Sequence, residues 1–173
     1  DETPFDEMEK LIQVNLTGIL RIIRSFLPEM IKRRSGNIVN ISSVAGIIPI
    51  TPCAIYGSAK YGMAGISSTL RYELHDYNIK VHLVCPGRVD TPFFEHETFR
   101  NRTKRSEMKK FVPIEKVSQA VMKAVTRNKF YTVIPRSYGV LVWLRNVFPF
   151  IVDPYIRKVN VNRIRQLKDD LHN

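Results

Sequence analysis

The sequence places a phenol and an ammonium four residues apart, at Tyr56 and Lys60. On a helix, residues at this spacing emerge on the same face, so the two groups can act on one ligand. A tyrosine with its usual pKa near 10 is a poor base at neutral pH, and a neighbouring ammonium favours its phenolate. The pair therefore indicates proton transfer, although this spacing also arises by chance.

Two strand ends accompany this pair. Ser43 closes one predicted strand, Pro86-Gly87 closes the next, and Tyr56 begins the helix between them. Ligands of open α/β sheets bind outside the carboxyl ends of the strands. The sequence therefore predicts that these points converge on one crevice.

The elements that must position these residues alternate between helix and strand. Asp6 is placed to cap a long amphipathic helix that has a candidate kink at Pro28 and ends near Gly36. We predict strands at 37–42, 79–85 and 130–134, and helices at 56–77 and 115–128. The strands are nearly continuous apolar runs, which is typical of parallel sheets covered on both faces. The predicted fold is α/β and doubly wound.

The last part of the chain differs in composition. We divide the chain at this point, into residues 1–136 and a helical tail at 137–173. Apolar runs in the tail are interrupted by Arg145, Pro149 and Asp153, so the tail is a poor candidate for spanning a membrane. A membrane-interface helix and a core or dimer helix both remain open for it.

Composition limits the other possibilities. The net charge is +11, but the basic clusters carry no recognisable nucleic-acid motif, so we predict no nucleic-acid partner. The four histidines are scattered, and we predict no metal site. Cys53 and Cys85 are too few for a disulfide framework, and the acidic start is not a signal peptide. A cytoplasmic location is expected, with peripheral membrane association as a further possibility.

Four segments together resemble the short-chain dehydrogenase/reductase family, over about residues 6 to 134. The family's thirteen-residue step between catalytic serine and tyrosine selects Ser43 rather than Ser42. The segments are Val14-Asn15-Leu16-Thr17-Gly18, Asn37-Ile38-Val39-Asn40-Ile41-Ser42-Ser43-Val44-Ala45-Gly46, Tyr56-Gly57-Ser58-Ala59-Lys60 and Pro86-Gly87-Arg88-Val89-Asp90-Thr91.

The resemblance implies four catalytic roles. Tyr56 would exchange a proton with the substrate oxygen, and Ser43 would hold that oxygen. Lys60 would favour the phenolate and bind the nicotinamide ribose, and Asn15 would anchor a water that passes protons toward Lys60. The apolar face around Asn15 supports its assignment, because a buried amide without partners is costly.

The resemblance also implies a cofactor, NAD or NADP, with NADP favoured. Tyr56, Lys60 and Pro86-Gly87 would contact it, together with the Val89 backbone and the Thr91 hydroxyl. Phe93, Phe94 and the basic segment after them would form a mobile substrate lid. The family's glycine-rich phosphate turn is absent from this sequence. We therefore expect an incomplete sheet, from a fragment of a longer protein rather than from a natural truncation.

The predicted function is oxidoreduction between a ketone and a secondary alcohol. The apolar tail and the loop Ile47-Ile48-Pro49-Ile50 favour a small apolar or lipid-like substrate. The alternative is a noncatalytic, truncated relative that acts as a membrane-surface or dimerisation module. Assembly into a homodimer or tetramer through the long helices is expected in either case.

Overall fold

The computed structural model describes residues 4–92 and 111–171. Helices and strands alternate along them, with short 3₁₀ turns at Val44–Gly46 and His75–Tyr77. The helices are α1 (Phe5–Ile12), α2 (Gly18–Arg33), α3 (Ala54–Glu73), α4 (Ile114–Thr126), α5 (Arg136–Val147) and α6 (Pro149–Leu171), and the strands are β1 (Gly36–Ile41), β2 (Ile79–Pro86) and β3 (Tyr131–Ile134).

The long amino-terminal helix differs from its prediction in two respects. It begins at Phe5 after Pro4, so Asp6 lies inside the first turn and the prediction that it caps the helix is wrong. Its interior changes to a π-helical turn, Gln13–Thr17, between α1 and α2. Pro28 lies within α2, which ends at Arg33 because Arg34 adopts a left-handed conformation with φ of 50°.

The three strands form one parallel sheet in the order β1-β2-β3. Gly36 pairs with Ile79 at the start of β1, and Leu83 pairs with Tyr131 at the start of β3. One face of the sheet packs against α2 and α3, where buried Leu74 lies among Ile38 and Val81. Each such buried aliphatic side chain contributes about 1.5–3 kcal/mol.

A buried histidine marks the other face of the sheet. Successive side chains of a strand point to opposite faces, so His82 points away from Val81 and from α3. His82 Nδ1 lies 2.8 Å from the carbonyl oxygen of Lys129, just beyond α4, and Nε2 lies 3.0 Å from Asn37 Oδ1. Helices therefore cover both faces, which confirms the doubly wound α/β prediction for an incomplete sheet.

The tail folds back onto the sheet domain. Val152 and Ile156 of α6 are buried in a cluster with Val44 and Ile48, which follow β1. No helix in the described part of the chain is both long enough and apolar enough to cross a membrane. One face of the tail is thus a core element, and Ile48 of the predicted substrate loop lies in that core.

Candidate active site

Ser42 and Ser43, at the carboxyl end of β1, have different partners. Ser42 is buried, and its hydroxyl donates to the carbonyl oxygen of Lys60 at 2.9 Å, which ties the strand to α3. Ser43 has an extended backbone, and its hydroxyl accepts from the Ala45 N–H at 3.1 Å. The Ser43 side chain also hydrogen-bonds Tyr56. Ser43, rather than Ser42, therefore faces the predicted site.

The first two turns of α3 carry Tyr56 and Lys60 on one face. Lys60 is only 8% exposed, and its ammonium lies 5.5 Å from the centroid of the Tyr56 ring. The same ammonium donates to the carbonyl oxygen of Ile41 at 3.4 Å, a long hydrogen bond to the end of β1. The structure thus brings Ser43, Tyr56 and Lys60 together at the carboxyl edge of the sheet.

Burial dominates the electrostatics of this cluster. It raises the pKa of Tyr56, while the hydrogen bond with Ser43 acts in the opposite direction. Burial also lowers the pKa of Lys60, and the nearby Cys85 thiol opposes that change. Both effects disfavour charge at the two groups. In the absence of a ligand, the phenol is therefore in its neutral, proton-donating form at neutral pH.

Gly46 allows the 3₁₀ turn after Ser43 to lie directly on α3. A Cβ atom at this position would lie 2.5 Å from the Lys60 carbonyl oxygen and 2.6 Å from Ser42 Oγ. The Lys60 carbonyl is backbone, so a larger residue at position 46 would displace the backbone of α3. This contact fixes the separation between Ser43 and the helix that carries Tyr56.

Asn15 lies at the centre of the π-helical turn. Its side-chain amide donates to the Leu11 carbonyl oxygen, one turn earlier, at 3.1 Å. Single π-turns inside α-helices occur frequently at functional sites. This turn also packs against α3. The π-turn thus sets the direction of the half-buried Asn15 side chain, and the helical periodicity did not predict this turn.

The end of β2 provides a second wall. A Cβ atom at Gly87 would lie 3.3 Å from the Tyr138 ring and 3.4 Å from the Ile134 carbonyl oxygen, so the chain is closely packed there. Val89 and Val112 form a parallel β-bridge. The Asp90 N–H donates to the Val112 carbonyl oxygen, and the Val112 N–H donates to the Arg88 carbonyl oxygen.

This bridge determines which way the Val89 backbone points. Because the flanking residues make the bonds to Val112, the N–H and C=O groups of Val89 itself point to the opposite side. They have no partner within residues 4–92 and 111–171. Thr91 follows half-buried, whereas the predicted lid residues Phe93 and Phe94 lie outside the described residues.

The three glycines of α3 differ in how closely neighbouring elements approach them. Gly62 does so, since its Cβ position would lie 3.1 Å from a methyl group of Leu16 on the π-turn. A Cβ atom at Gly57 would lie 3.5 Å from the Ala45 carbonyl oxygen. Gly65, in contrast, faces nothing within 4 Å in the described part of the chain. Two of the three thus bring α3 close to neighbouring backbone or side chains.

Helix α6 contributes a contact that the sequence did not predict. Asn160 Oδ1 accepts from the Thr51 N–H at 2.9 Å, and its amide nitrogen donates to the Pro49 carbonyl oxygen at 3.0 Å. Arg163, one turn further on, donates to the Thr51 carbonyl oxygen at 3.0 Å. We call these contacts the α6 latch. It holds the loop between Ser43 and Tyr56 from the side opposite the sheet.

The fold and the site define a parallel α/β protein with a Ser-Tyr-Lys cluster at the carboxyl edge of its sheet. The family model for short chain dehydrogenases matches residues 1–101. The chain is 34% identical over 120 residues to the 3-oxoacyl-[acyl-carrier-protein] reductase FabG of Thermotoga maritima, covering 68% of this chain and 49% of that protein.

Solved structures show the same fold. A short-chain dehydrogenase from Sphingobium yanoikuyae in complex with NADPH superimposes with a TM-score of 0.73 at 23% identity, covering 84% of this chain and 57% of that one. A short-chain dehydrogenase/reductase from Burkholderia phymatum in complex with NAD gives 0.73 at 22% identity, covering 87% and 61%.

The chain belongs to the short-chain dehydrogenase family, which confirms the resemblance stated from the sequence. It spans about half the length of the curated relatives that it matches.

Proposed function

We propose that this chain carries the catalytic half of an NAD(P)-dependent oxidoreductase that interconverts a ketone and a secondary alcohol. The observation that carries the proposal is the grouping of Ser43, Tyr56 and Lys60 at the carboxyl edge of a parallel sheet. In an open α/β fold this edge is the ligand-binding edge. Membership of the short-chain dehydrogenase family supports the same reaction class.

The proposed chemistry follows from the positions of the side chains. In reduction, the neutral Tyr56 phenol donates a proton to the carbonyl oxygen, and the Ser43 hydroxyl holds that oxygen by a hydrogen bond. Lys60 lies below the ring and stabilises the phenolate left behind. Asn15 anchors a water that returns a proton toward Lys60. In oxidation, the same groups work in reverse.

The residues at the end of β2 fit the nicotinamide end of a dinucleotide. The outward-facing Val89 backbone offers one donor and one acceptor, which match a carboxamide, and the Thr91 hydroxyl and Pro86-Gly87 complete that wall. When bound, the nicotinamide supplies or accepts the hydride. The chain's own residues position it and bind its ribose through Tyr56 and Lys60. NADP is favoured over NAD.

We propose an apolar or lipid-like substrate. Half-buried Ile47 and Ile50 of the loop that joins Ser43 to Tyr56 pack against the same buried cluster as the tail residues Leu141 and Val142. A substrate that binds beside this loop would meet mostly aliphatic side chains. Pockets of this composition bind apolar groups, with the few polar groups fixing orientation.

The test of the reaction is Tyr56→Phe in the full-length protein. Loss of the proposed proton donor should reduce turnover of a ketone substrate with NADPH or NADH by about 10²–10⁴-fold. The fold should remain intact, because only one hydroxyl is removed. Tyr72→Phe on the same helix, where the side chain is 74% exposed, is the matched control and should retain activity. Retained activity in Tyr56→Phe would reject the mechanism.

A second candidate function is peripheral binding to anionic membranes. The face of α6 opposite Val152 and Ile156 carries exposed Phe150 and Val161 among basic side chains. A helix of this kind lies in the headgroup region with its apolar side chains inserted. The basic side chains on this face are Arg157, Lys158, Arg165 and Lys168.

Vesicle binding tests this second candidate. Co-sedimentation with acidic phospholipid vesicles should be strong at low salt, weaken as salt rises, and fall with Arg157→Gln/Lys158→Gln. No binding at low salt would remove the idea. A noncatalytic module would bind such vesicles but show no binding of NAD(P)H by nicotinamide fluorescence. Bound cofactor in that titration therefore favours the enzyme.

Self-association is the remaining proposal, with a second copy of this chain as the partner. Ile22 and Phe26 on α2 are 59% and 63% exposed, and Gly65 on α3 leaves room for close approach of another helix. These features support a homodimer or tetramer formed through the long helices. Light scattering coupled to gel filtration should give a multimeric mass, and Phe26→Glu should reduce it. A monomeric wild-type mass would overturn this proposal.

A further inference from the structure

A small cleft opens at the amino edge of the sheet, at the opposite end from the candidate active site. Its floor is formed by Ile79, the first residue of β2, and by Val81, and both side chains belong to the buried core. Strand β2 runs from Ile79 to Pro86 and rises about 3.3 Å per residue, so roughly 20 Å separate the cleft from the carboxyl edge. The cleft is therefore distinct from the candidate active site.

Three elements meet at the walls of this cleft, and each contributes a group that can donate hydrogen bonds. Arg71 lies in the last turn of α3, Lys80 is the second residue of β2, and Asn128 follows α4. Asn128 has a left-handed backbone, with φ of 47°, where the chain leaves α4 for β3. The half-buried Phe130 ring completes the wall. The cleft has a volume of about 250 Å³, which suits a small ligand.

The Arg71 side chain is stacked against the Phe130 ring. The guanidinium carbon lies 4.7 Å from the centroid of that ring. Stacking uses the face of the guanidinium group and leaves the N–H donors in its plane available. Within residues 4–92 and 111–171, no carboxylate lies within 4.0 Å of Arg71. The ring therefore holds a cation in place whose donors can bind an anionic ligand.

The charges that line the cleft are positive. Half-buried Lys80 adds a second cation, and no aspartate or glutamate is found among the lining residues that the structure describes. His75 at the rim lies 3.2 Å from the Asp76 carboxylate, so it already has a partner when protonated. Guanidinium and ammonium groups bind carboxylates by charge-assisted hydrogen bonds. The ligand that fits Arg71 and Lys80 is thus an anion.

We propose that this cleft is a second ligand site, which binds a small organic anion with a flat apolar body, such as an aromatic carboxylate. The carboxylate lies between Arg71 and Lys80, near the amide of Asn128, and the apolar body lies against the Phe130 ring and the aliphatic floor. Burial of apolar surface against these groups stabilises such a body. The site does not depend on the reaction proposed for the carboxyl edge, because the two share no residue.

Calorimetric titration of the full-length protein with benzoate and with benzamide tests this site. The two probes have nearly the same shape, and only benzoate is charged. We expect benzoate to bind saturably and more tightly than benzamide. Arg71→Gln and Lys80→Gln should each weaken benzoate binding about tenfold, through the loss of one charge-assisted contact, and leave benzamide binding unchanged.

Arg127→Gln is the matched control, because Arg127 is exposed beside Asn128 but does not line the cleft. It should leave benzoate binding unchanged. An equal loss in Arg127→Gln and Arg71→Gln would mean binding to the general positive surface and would overturn the site. Equal affinities for benzoate and benzamide would exclude the anionic group. Equal affinities for benzoate and inorganic phosphate would exclude the apolar body, and either result overturns the proposal.

The Tyr56→Phe variant separates this cleft from the candidate active site. Benzoate binding should be unchanged in this variant. If benzoate affinity falls in Tyr56→Phe and is unchanged in Arg71→Gln, the probe binds at the carboxyl edge and the second site is overturned. Turnover does not enter this measurement, so failure of the proposed reaction would leave the benzoate result standing.

Discussion

Removal of the Asn160 side chain should loosen the loop that joins Ser43 to Tyr56. The side chain makes three hydrogen bonds to this loop, accepting from the N–H and the hydroxyl of Thr51 and donating to the Pro49 carbonyl oxygen. Each such bond contributes about 1 kcal/mol net. The Thr51 hydroxyl keeps a second acceptor, the Asn160 carbonyl oxygen at 3.1 Å. Asn160→Ala should therefore lower the free energy of unfolding by about 2–3 kcal/mol.

Two measurements in the full-length protein check this value. Urea unfolding gives the change in the free energy of unfolding, with Asn162→Ala as a control, because Asn162 is exposed two residues further along α6. Hydrogen exchange of the Thr51 amide reports directly on the lost acceptor. Asn160→Asp keeps that acceptor and loses the amide donor to Pro49 and Ile156, so its Thr51 amide should remain protected.

Two results together would contradict the role of the Asn160 side chain. If Asn160→Ala is as stable as Asn162→Ala and the Thr51 amide exchanges as slowly as in the wild type, the amide is not what holds the loop. Packing of Ile48 against Val152 and Ile156 would then be the dominant constraint. In that case Ile48→Ala should lower the free energy of unfolding, whereas Asn160→Ala does not.

Further predictions concern glycines, cysteines and Tyr56 in and around the candidate site. Gly46→Ala should lower the free energy of unfolding by about 2 kcal/mol or more, because the new Cβ would meet backbone. Gly65→Ala faces open space on α3 and should raise the free energy of unfolding by up to about 1 kcal/mol, as measured by urea unfolding. Burial raises the pKa of Cys85 to about 12 from 9.0, so stability should fall as pH rises through this range, and Cys85→Ala should flatten that dependence of Tm. Iodoacetamide at pH 8 should modify half-exposed Cys53 and not Cys85, as read by peptide mass mapping. In cofactor-free protein, the phenolate absorbance that Tyr56→Phe removes should develop only above pH 10, since burial raises this pKa.

Sequence patterns predicted the elements whose stability is local. The apolar runs that became β1 and β2 are limited by glycine and proline, and the structure places them within one residue of the prediction. The choice of Ser43 over Ser42 rested on the family's thirteen-residue step to Tyr56, which is also a distance along the chain. These features depend on neighbours in the chain, which a single sequence displays directly.

Features that depend on distant partners were not predicted. The Asn160 contacts join residues 109 positions apart, and nothing in the composition around Asn160 distinguishes it from a surface amide. The π-turn at Gln13–Thr17 leaves the apolar periodicity nearly unchanged, so only the isolated Asn15 hinted at it. Asp6 was misassigned because a capping pattern is local, whereas Pro4 already sets the backbone for Phe5 to begin the helix.

The sequence left two interpretations of the tail because the two faces of α6 have different surroundings. Residues 152, 156, 160 and 163 lie along one side of α6 and contact the loop before Tyr56. The opposite side carries exposed Phe150 and Val161 with basic neighbours, and for this side the interfacial interpretation stays a prediction. An interfacial helix and a core helix are not exclusive when one surface is free.

The two faces of α6 together should make the loop between Ser43 and Tyr56 sensitive to contacts on the outer face of this helix. A surface that engages the outer face would change the mobility of the same helix whose inner face holds Thr51 through Asn160 and Arg163. Reduced mobility on one face of a rigid helix also reduces mobility on the other face, because the two faces share one backbone. We therefore expect slower exchange of the Thr51 amide when acidic vesicles are bound. Unchanged exchange with bound vesicles would show that the outer face and the active site are energetically independent.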